Sequence, residues 1–179
     1  TGVPNTTLNG GLVGAPNSVV TSATLSAAAN STTPYDITAT QTWLSPNQVS
    51  VNIDVANVTG GTISSADKIY VAMIENVINY AVAPGSNGET SFYYVMRQMY
   101  NASTGSANAT GGASLGPISA SNTTNFNFSI SNLPTYIRDK TEISFAVYIQ
   151  NNGTKQIFQS AKTVAAPIPG LISVNAVST

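Results

Sequence analysis

The sequence predicts an all-β sandwich in a single domain, and three observations carry that expectation. Apolar and polar residues alternate with the two-residue period of strands in one segment after another. Clusters of Pro, Gly, Asn and Ser separate those segments at short intervals. No stretch shows the 3.6-residue period of an amphipathic helix. A chain of 179 residues is long enough for one hydrophobic core and short for two. About eight or nine strands are expected.

The N-terminal residues 1–16 hold glycines and two prolines, yet also Val3, Leu8, Leu12 and Val13. They read either as an extended tail lying in a narrow groove, where glycine permits close backbone approach, or as a disordered or loosely docked terminus; residues 17–179 form the sandwich. Alternation begins at Val19 and runs to Leu25, and Asn30 to Pro34 is a turn. Tyr35 to Trp43 and Gln48 to Val58 read as strands, the second with Val49, Val51, Ile53 and Val55 inward. The segment from Asp67 to Ala83 is the centre of the fold. One of its faces carries Ile69, Val71, Met73, Glu75 and Val77, and the other Tyr70, Ala72, Ile74, Asn76 and Ile78. Both are mostly apolar, the mark of a strand covered on both sides.

After the connector Pro84–Gly88, a strand runs from Thr90 to Tyr100. The Gly/Ala/Ser/Thr-rich segment 101–117 reads as a long exposed loop. Asn125 to Ile130 places Phe126, Phe128 and Ile130 inward, and Glu142 to Gln150 does the same with Ile143, Phe145, Val147 and Ile149. Asn151-Asn152-Gly153 signals a hairpin turn. The strand Gln156 to Val164 returns, and Leu171 to Val177 makes a last short one.

Charged residues make up only 7% of the chain, against roughly 25% in an average soluble domain. Six Lys and Arg against seven Asp and Glu leave no basic stripe for nucleic acid and no polybasic membrane patch. There is no run of about 20 apolar residues to span a membrane. No Cys means no disulfide or thiolate chemistry, and no His removes the commonest general base and metal ligand. The first residue, Thr1, suits a secreted chain whose signal peptide has been cleaved. Asn-X-Ser/Thr occurs at Asn5, Asn30, Asn57, Asn101, Asn108, Asn122, Asn127 and Asn152. With so little charge, these sequons suggest N-glycans and a location outside the cell.

Catalytic chemistry is not visible. No acids have calcium-loop or metal spacing, and no nucleophile elbow or phosphate loop occurs. No enzyme activity and no cofactor are therefore expected. Glu75 stands out because it shares a face with Val71, Met73 and Val77. Buried carboxylates are normally paired or protonated. Two readings stand: a strand end whose carboxylate reaches solvent or a neighbouring Arg97, or an acid assisting a Lys–Asn isopeptide crosslink with Lys68 or Lys162 as donor. Trp43, Tyr93, Tyr94, Tyr100, Tyr136 and Tyr148 would serve as a sugar-stacking platform, but alternation divides Tyr93 and Tyr94 between faces.

Ile69–Glu75, followed by Asn87-Gly88-Glu89-Thr90-Ser91-Phe92 and Val95-Met96-Arg97, resembles the β-sandwich portion of a Bacteroidota outer-membrane protein family. As a whole, this Cys-free, sequon-rich chain with an apolar N-terminal tail resembles the glycosylated subunits of archaeal thread filaments. That resemblance implies an immunoglobulin-like or pilin-like sandwich whose tail is donated to the next identical subunit by β-strand addition. It further implies a cell-surface filament serving adhesion or biofilm cohesion. Val3, Leu8, Leu12 and Val13 would be the donor anchors, seated at the open edge beside the Asp67–Ala83 strand. Three or four such side chains at about 1.5–3 kcal/mol each would make a durable joint. The alternatives are a secreted monomeric binding module and a surface-layer component.

Overall fold

The structure, a computed structural model, describes residues 6–8, 10, 12–63 and 66–170. Its core lies between two antiparallel sheets. Strands β3 (Tyr35–Ser45), β4 (Gln48–Asn57) and β8 (Thr123–Ile130) form one, in the order β3-β4-β8. The other has the order β10-β9-β5-β6, from β5 (Asp67–Asn79), β6 (Ser91–Tyr100), β9 (Ile143–Asn151) and β10 (Ile157–Lys162). The two-residue β7 (Ala113–Ser114) pairs with the start of β5. The all-β sandwich that alternation predicts is the observed fold.

Alternation assigns each side chain to its layer. From the first sheet, Val49, Val51, Ile53, Val55, Phe126, Phe128 and Ile130 point inward. From the second come Ile69, Val71, Met73, Phe145, Val147 and Ile149. Two polar links cross between the layers. Tyr35 of the first sheet donates its hydroxyl to Asp67 Oδ2 at 2.6 Å, and Asn151 Nδ2 holds Oδ1 at 2.8 Å. Gln41 donates to the Ile143 carbonyl at 3.0 Å and accepts from the Thr163 hydroxyl. Tyr35 and Gln41 thus each meet a partner across the core, which fixes how the sheets sit together.

The strand expected over 19–25 is helical instead. Short α1 (Pro16–Val19) is followed by α2 (Ser22–Ala29). A reciprocal capping box starts α2, with Thr24 N–H donating to the Thr21 hydroxyl and Thr21 N–H to the Thr24 hydroxyl. Ala27, Ala28 and Ala29 then favour the helix by propensity. None of α2 is buried, so no amphipathic stripe marks it in the sequence. The central strand ends at Asn79, before the expected Ala83. The segment 101–117 is only partly a free loop, since Ala102, Ala113 and Leu115 are buried and Gly112 lies beneath the Tyr70 ring. A Cβ on Gly112 would come within 2.8 Å of that ring.

The N-terminal tail is also corrected. In place of an extended donor segment, its described residues form a hairpin of β1 (Thr6–Leu8) and β2 (Leu12–Gly14). The tip folds back onto the same molecule. A Cβ on Gly10 would fall 1.6 Å from the Lys155 carbonyl oxygen, so only glycine fits there. Of the expected anchors, Leu8 lies in β1 and Leu12 and Val13 lie in β2, while Val3 falls outside the described residues. The short strand expected over Leu171–Val177 also falls outside them.

Candidate interaction face

Strand β6 forms one edge of its sheet, beside β5. The open edge therefore belongs to β6, and β5 is paired on both sides, by β6 and β9. Two irregularities interrupt β6. Gln98 faces Met73 and Met96 faces Ile74, which leaves Arg97 as the extra residue of a bulge. Tyr94 sits at φ 53°, in the left-handed region that a bulky residue occupies at a cost of about 1–2 kcal/mol. Around these kinks Tyr93, Tyr94 and Met96 are 65%, 64% and 57% exposed.

On the outward face, cations and aromatic rings form a strip. Arg138 lies 4.2 Å above the Tyr80 ring, and Tyr80 meets Phe92 edge-on at 5.7 Å. Phe92 is the cross-strand partner of Ile78, and the next even-numbered residue of β6 is Tyr94. The Lys162 ammonium stands 5.4 Å from the Tyr94 ring centre and donates to Asn76 Oδ1 at 3.2 Å. Ser144 donates to the same oxygen at 2.8 Å. Beside Arg138 an open cleft of about 510 Å³ is lined by Val77, Ile78, Asn79, Arg138, Asp139 and Glu142.

Glu75 supports this face from the inner side. It is fully buried, with Oε1 accepting the backbone N–H groups of Arg138 at 2.9 Å and Asp139 at 2.7 Å. Oε2 lies 3.0 Å from Arg97 Nε, an ion pair whose atoms are not aligned as a hydrogen bond. Arg97 also stacks on Tyr136 and donates to its carbonyl. Of the two readings of Glu75, the structure brings it to Arg97. The isopeptide set does not assemble: Lys68 Nζ reaches the Gly111 carbonyl at 3.0 Å, and Lys162 belongs to the opposite face of the sheet.

The expected aromatic platform divides. Trp43 and Tyr100 are buried in the core, and Tyr148 stacks on Tyr70 with centroids 5.0 Å apart. Tyr93, Tyr94 and Tyr136 are exposed. Sequence reasoning missed Tyr80, Phe92 and Arg138 as members of this face and named Lys162 only as a crosslink donor. A signal for two of them was present, because Ile78/Tyr80 and Phe92/Tyr94 flank one connector at matching spacing.

The sequons differ in setting. Asn30, Asn108, Asn122, Asn127 and Asn152 are exposed, Asn101 is half-buried, and Asn5 falls outside the described residues. Asn127 stands on the outward face of β8, as alternation predicts. Asn57 is corrected: it is buried, and its Nδ2 donates to the carbonyls of Gly61, Ile118 and Ser119 at 2.7, 2.9 and 3.1 Å. A glycan on that nitrogen has no room in the folded chain.

No family model matches the chain, and no curated protein does. Among solved structures, HBP35 of Porphyromonas gingivalis matches with a TM-score of 0.59 at 8% identity, over 93% of this chain and 52% of that one. A domain of the outer membrane lipoprotein Omp28 from Porphyromonas gingivalis matches with a TM-score of 0.47 at 10% identity, over 77% of this chain and 93% of that one. Bacteroides uniformis beta-glucuronidase 2 matches with a TM-score of 0.35 at 11% identity, over 70% of this chain and 12% of that one. The chain thus spans about half the length of HBP35. Nothing in these comparisons supports the archaeal filament resemblance. At such identity, what the HBP35 likeness establishes is a shared β-sandwich fold.

Proposed function

We propose that this chain is a secreted, cell-surface β-sandwich binding module without enzymatic activity, and that it recognises its partner through the outward face at β6. The observation that carries the reading is the pair Tyr94 and Met96, both exposed on the outward face of a kinked edge strand. Large apolar side chains grouped on a surface mark interaction sites, and backbone strain held at such a group points the same way. The surface location is supported by the sequons and the very low charge.

The test is to present the chain and a Tyr94→Ser/Met96→Ser variant to arrays of polysaccharides and extracellular proteins. A ligand bound by the natural chain and lost by the variant, with the melting temperature unchanged, is the expected result. Ligands bound equally by both would overturn the reading.

A filament of identical subunits is the second reading, favoured by the same open edge at β6. It requires the β1–β2 hairpin to open and donate its residues. Electron microscopy of native material decides it: threads support it, and dispersed particles reject it.

A further inference from the structure

We infer that the outward strip takes an extended anionic saccharide, with sugar rings stacked on Tyr94, Phe92 and Tyr80 and an acidic substituent held at Lys162. This rests on the reading of the β6 face as a binding surface and deepens it. Five rings and cations follow one another in contact or in register: Arg138 over Tyr80, Tyr80 against Phe92, and Lys162 over Tyr94. An aromatic face packs on the C–H face of a sugar, and an open row of rings suits a chain better than a single residue.

Charge selects the kind of sugar. In a chain with only six Lys and Arg, Lys162 makes no ion pair among the described residues. It is tethered instead by Asn76, whose oxygen holds the ammonium beside the exposed Tyr94 ring. An ammonium so placed offers its remaining donors to a carboxylate or sulfate. The other end differs. Asp139 and Glu142 line the cleft with Arg138, so the anion belongs at Lys162 and the Arg138 guanidinium extends the stacking surface.

An acidic peptide fits less well. A peptide added to this edge binds through main-chain hydrogen bonds, and the bulge at Arg97 and the left-handed Tyr94 limit it to part of β6. Stacking on an outward face needs no ladder.

The experiment is calorimetric titration of the full chain with polygalacturonate, the neutral glucan pullulan and poly-L-glutamate. Polygalacturonate should bind about tenfold or more tighter than pullulan, and Lys162→Gln should remove that difference. Lys162→Arg should restore it, and Tyr94→Asn should abolish binding of both sugars. Equal affinity for the two sugars, lost in Tyr94→Asn, would overturn the anionic preference while leaving the face as a binding surface. Tightest binding to poly-L-glutamate would overturn the saccharide. Binding of none of the three would overturn the inference, and the array comparison of the Tyr94→Ser/Met96→Ser variant then judges the face by itself.

Discussion

Glu75 reaches Arg97 across the one bulge between β5 and β6, with Oε2 3.0 Å from Nε. The same carboxylate caps the backbone N–H groups of Arg138 and Asp139, so one buried side chain fixes both the bulge and the segment that carries Arg138. Removing it strands two amides and leaves Arg97, only 17% exposed, without its counter-charge. Glu75→Ala should therefore lower stability by about 3–5 kcal/mol, read from urea unfolding at neutral pH. Glu75→Gln, which keeps an acceptor for the amides, should cost less.

Tyr94 is strained where it is exposed. Asparagine adopts the left-handed region more readily than tyrosine, so Tyr94→Asn should raise stability by about 0.5–1 kcal/mol after loss of the weak Lys162 contact. The same variant should lose ligand. A gain in melting temperature together with loss of binding would mark the strain as held for function.

Asn57 joins the end of β4 to residues 59–61 and 118–119. Its amide reaches three carbonyls, and its Oδ1 accepts the Thr59 N–H at 2.8 Å and hydroxyl at 2.7 Å. Asn57→Ala should cost about 2–3 kcal/mol through the stranded carbonyls and N–H. Glycopeptide mass spectrometry should find Asn57 bare, with any glycans on exposed sequons such as Asn127 and Asn152.

Alkaline pH should unfold the chain through its tyrosines. Burial, and then the hydrogen bond to Asp67, pushes the Tyr35 hydroxyl far above its ordinary range. Burial, and then Tyr136, pushes Tyr100 up to about 12, and burial with Tyr70 raises Tyr148. For these groups the folded state holds the proton more tightly. Their contribution is therefore complete below the ordinary pKa of 10.0 and falls away as pH rises toward 12. Urea unfolding at pH 9, 10, 11 and 12 should show that decline, and Tyr100→Phe should make it shallower.

The strands were legible because burial imposes a period. Val49 to Val55 and Phe126 to Ile130 each leave one apolar face, and the observed registers place those faces on the core. Helix α2 was not legible, since it is exposed and rests on a threonine capping box and alanine propensity, neither of which has a period. The tail misled for a related reason: its glycines fit a groove, but Gly10 serves a close approach to Lys155 within the same molecule. Glu75 was readable as a buried acid, and its partner Arg97 was named in advance. The strip was hidden because Arg138 and Lys162 come from distant segments, and a left-handed Tyr94 defeats strict alternation.

The claim that the outward β6 face is the recognition surface is tested most directly by nuclear magnetic resonance of the full chain titrated with an oligogalacturonate. The account predicts chemical-shift changes gathered at Asn76, Ile78, Tyr80, Phe92, Tyr94 and Lys162, with the opposite sheet unmoved. Changes gathered at Asn52, Asp54, Asn125 and Asn127 on β4 and β8, or none at saturating ligand, would contradict it.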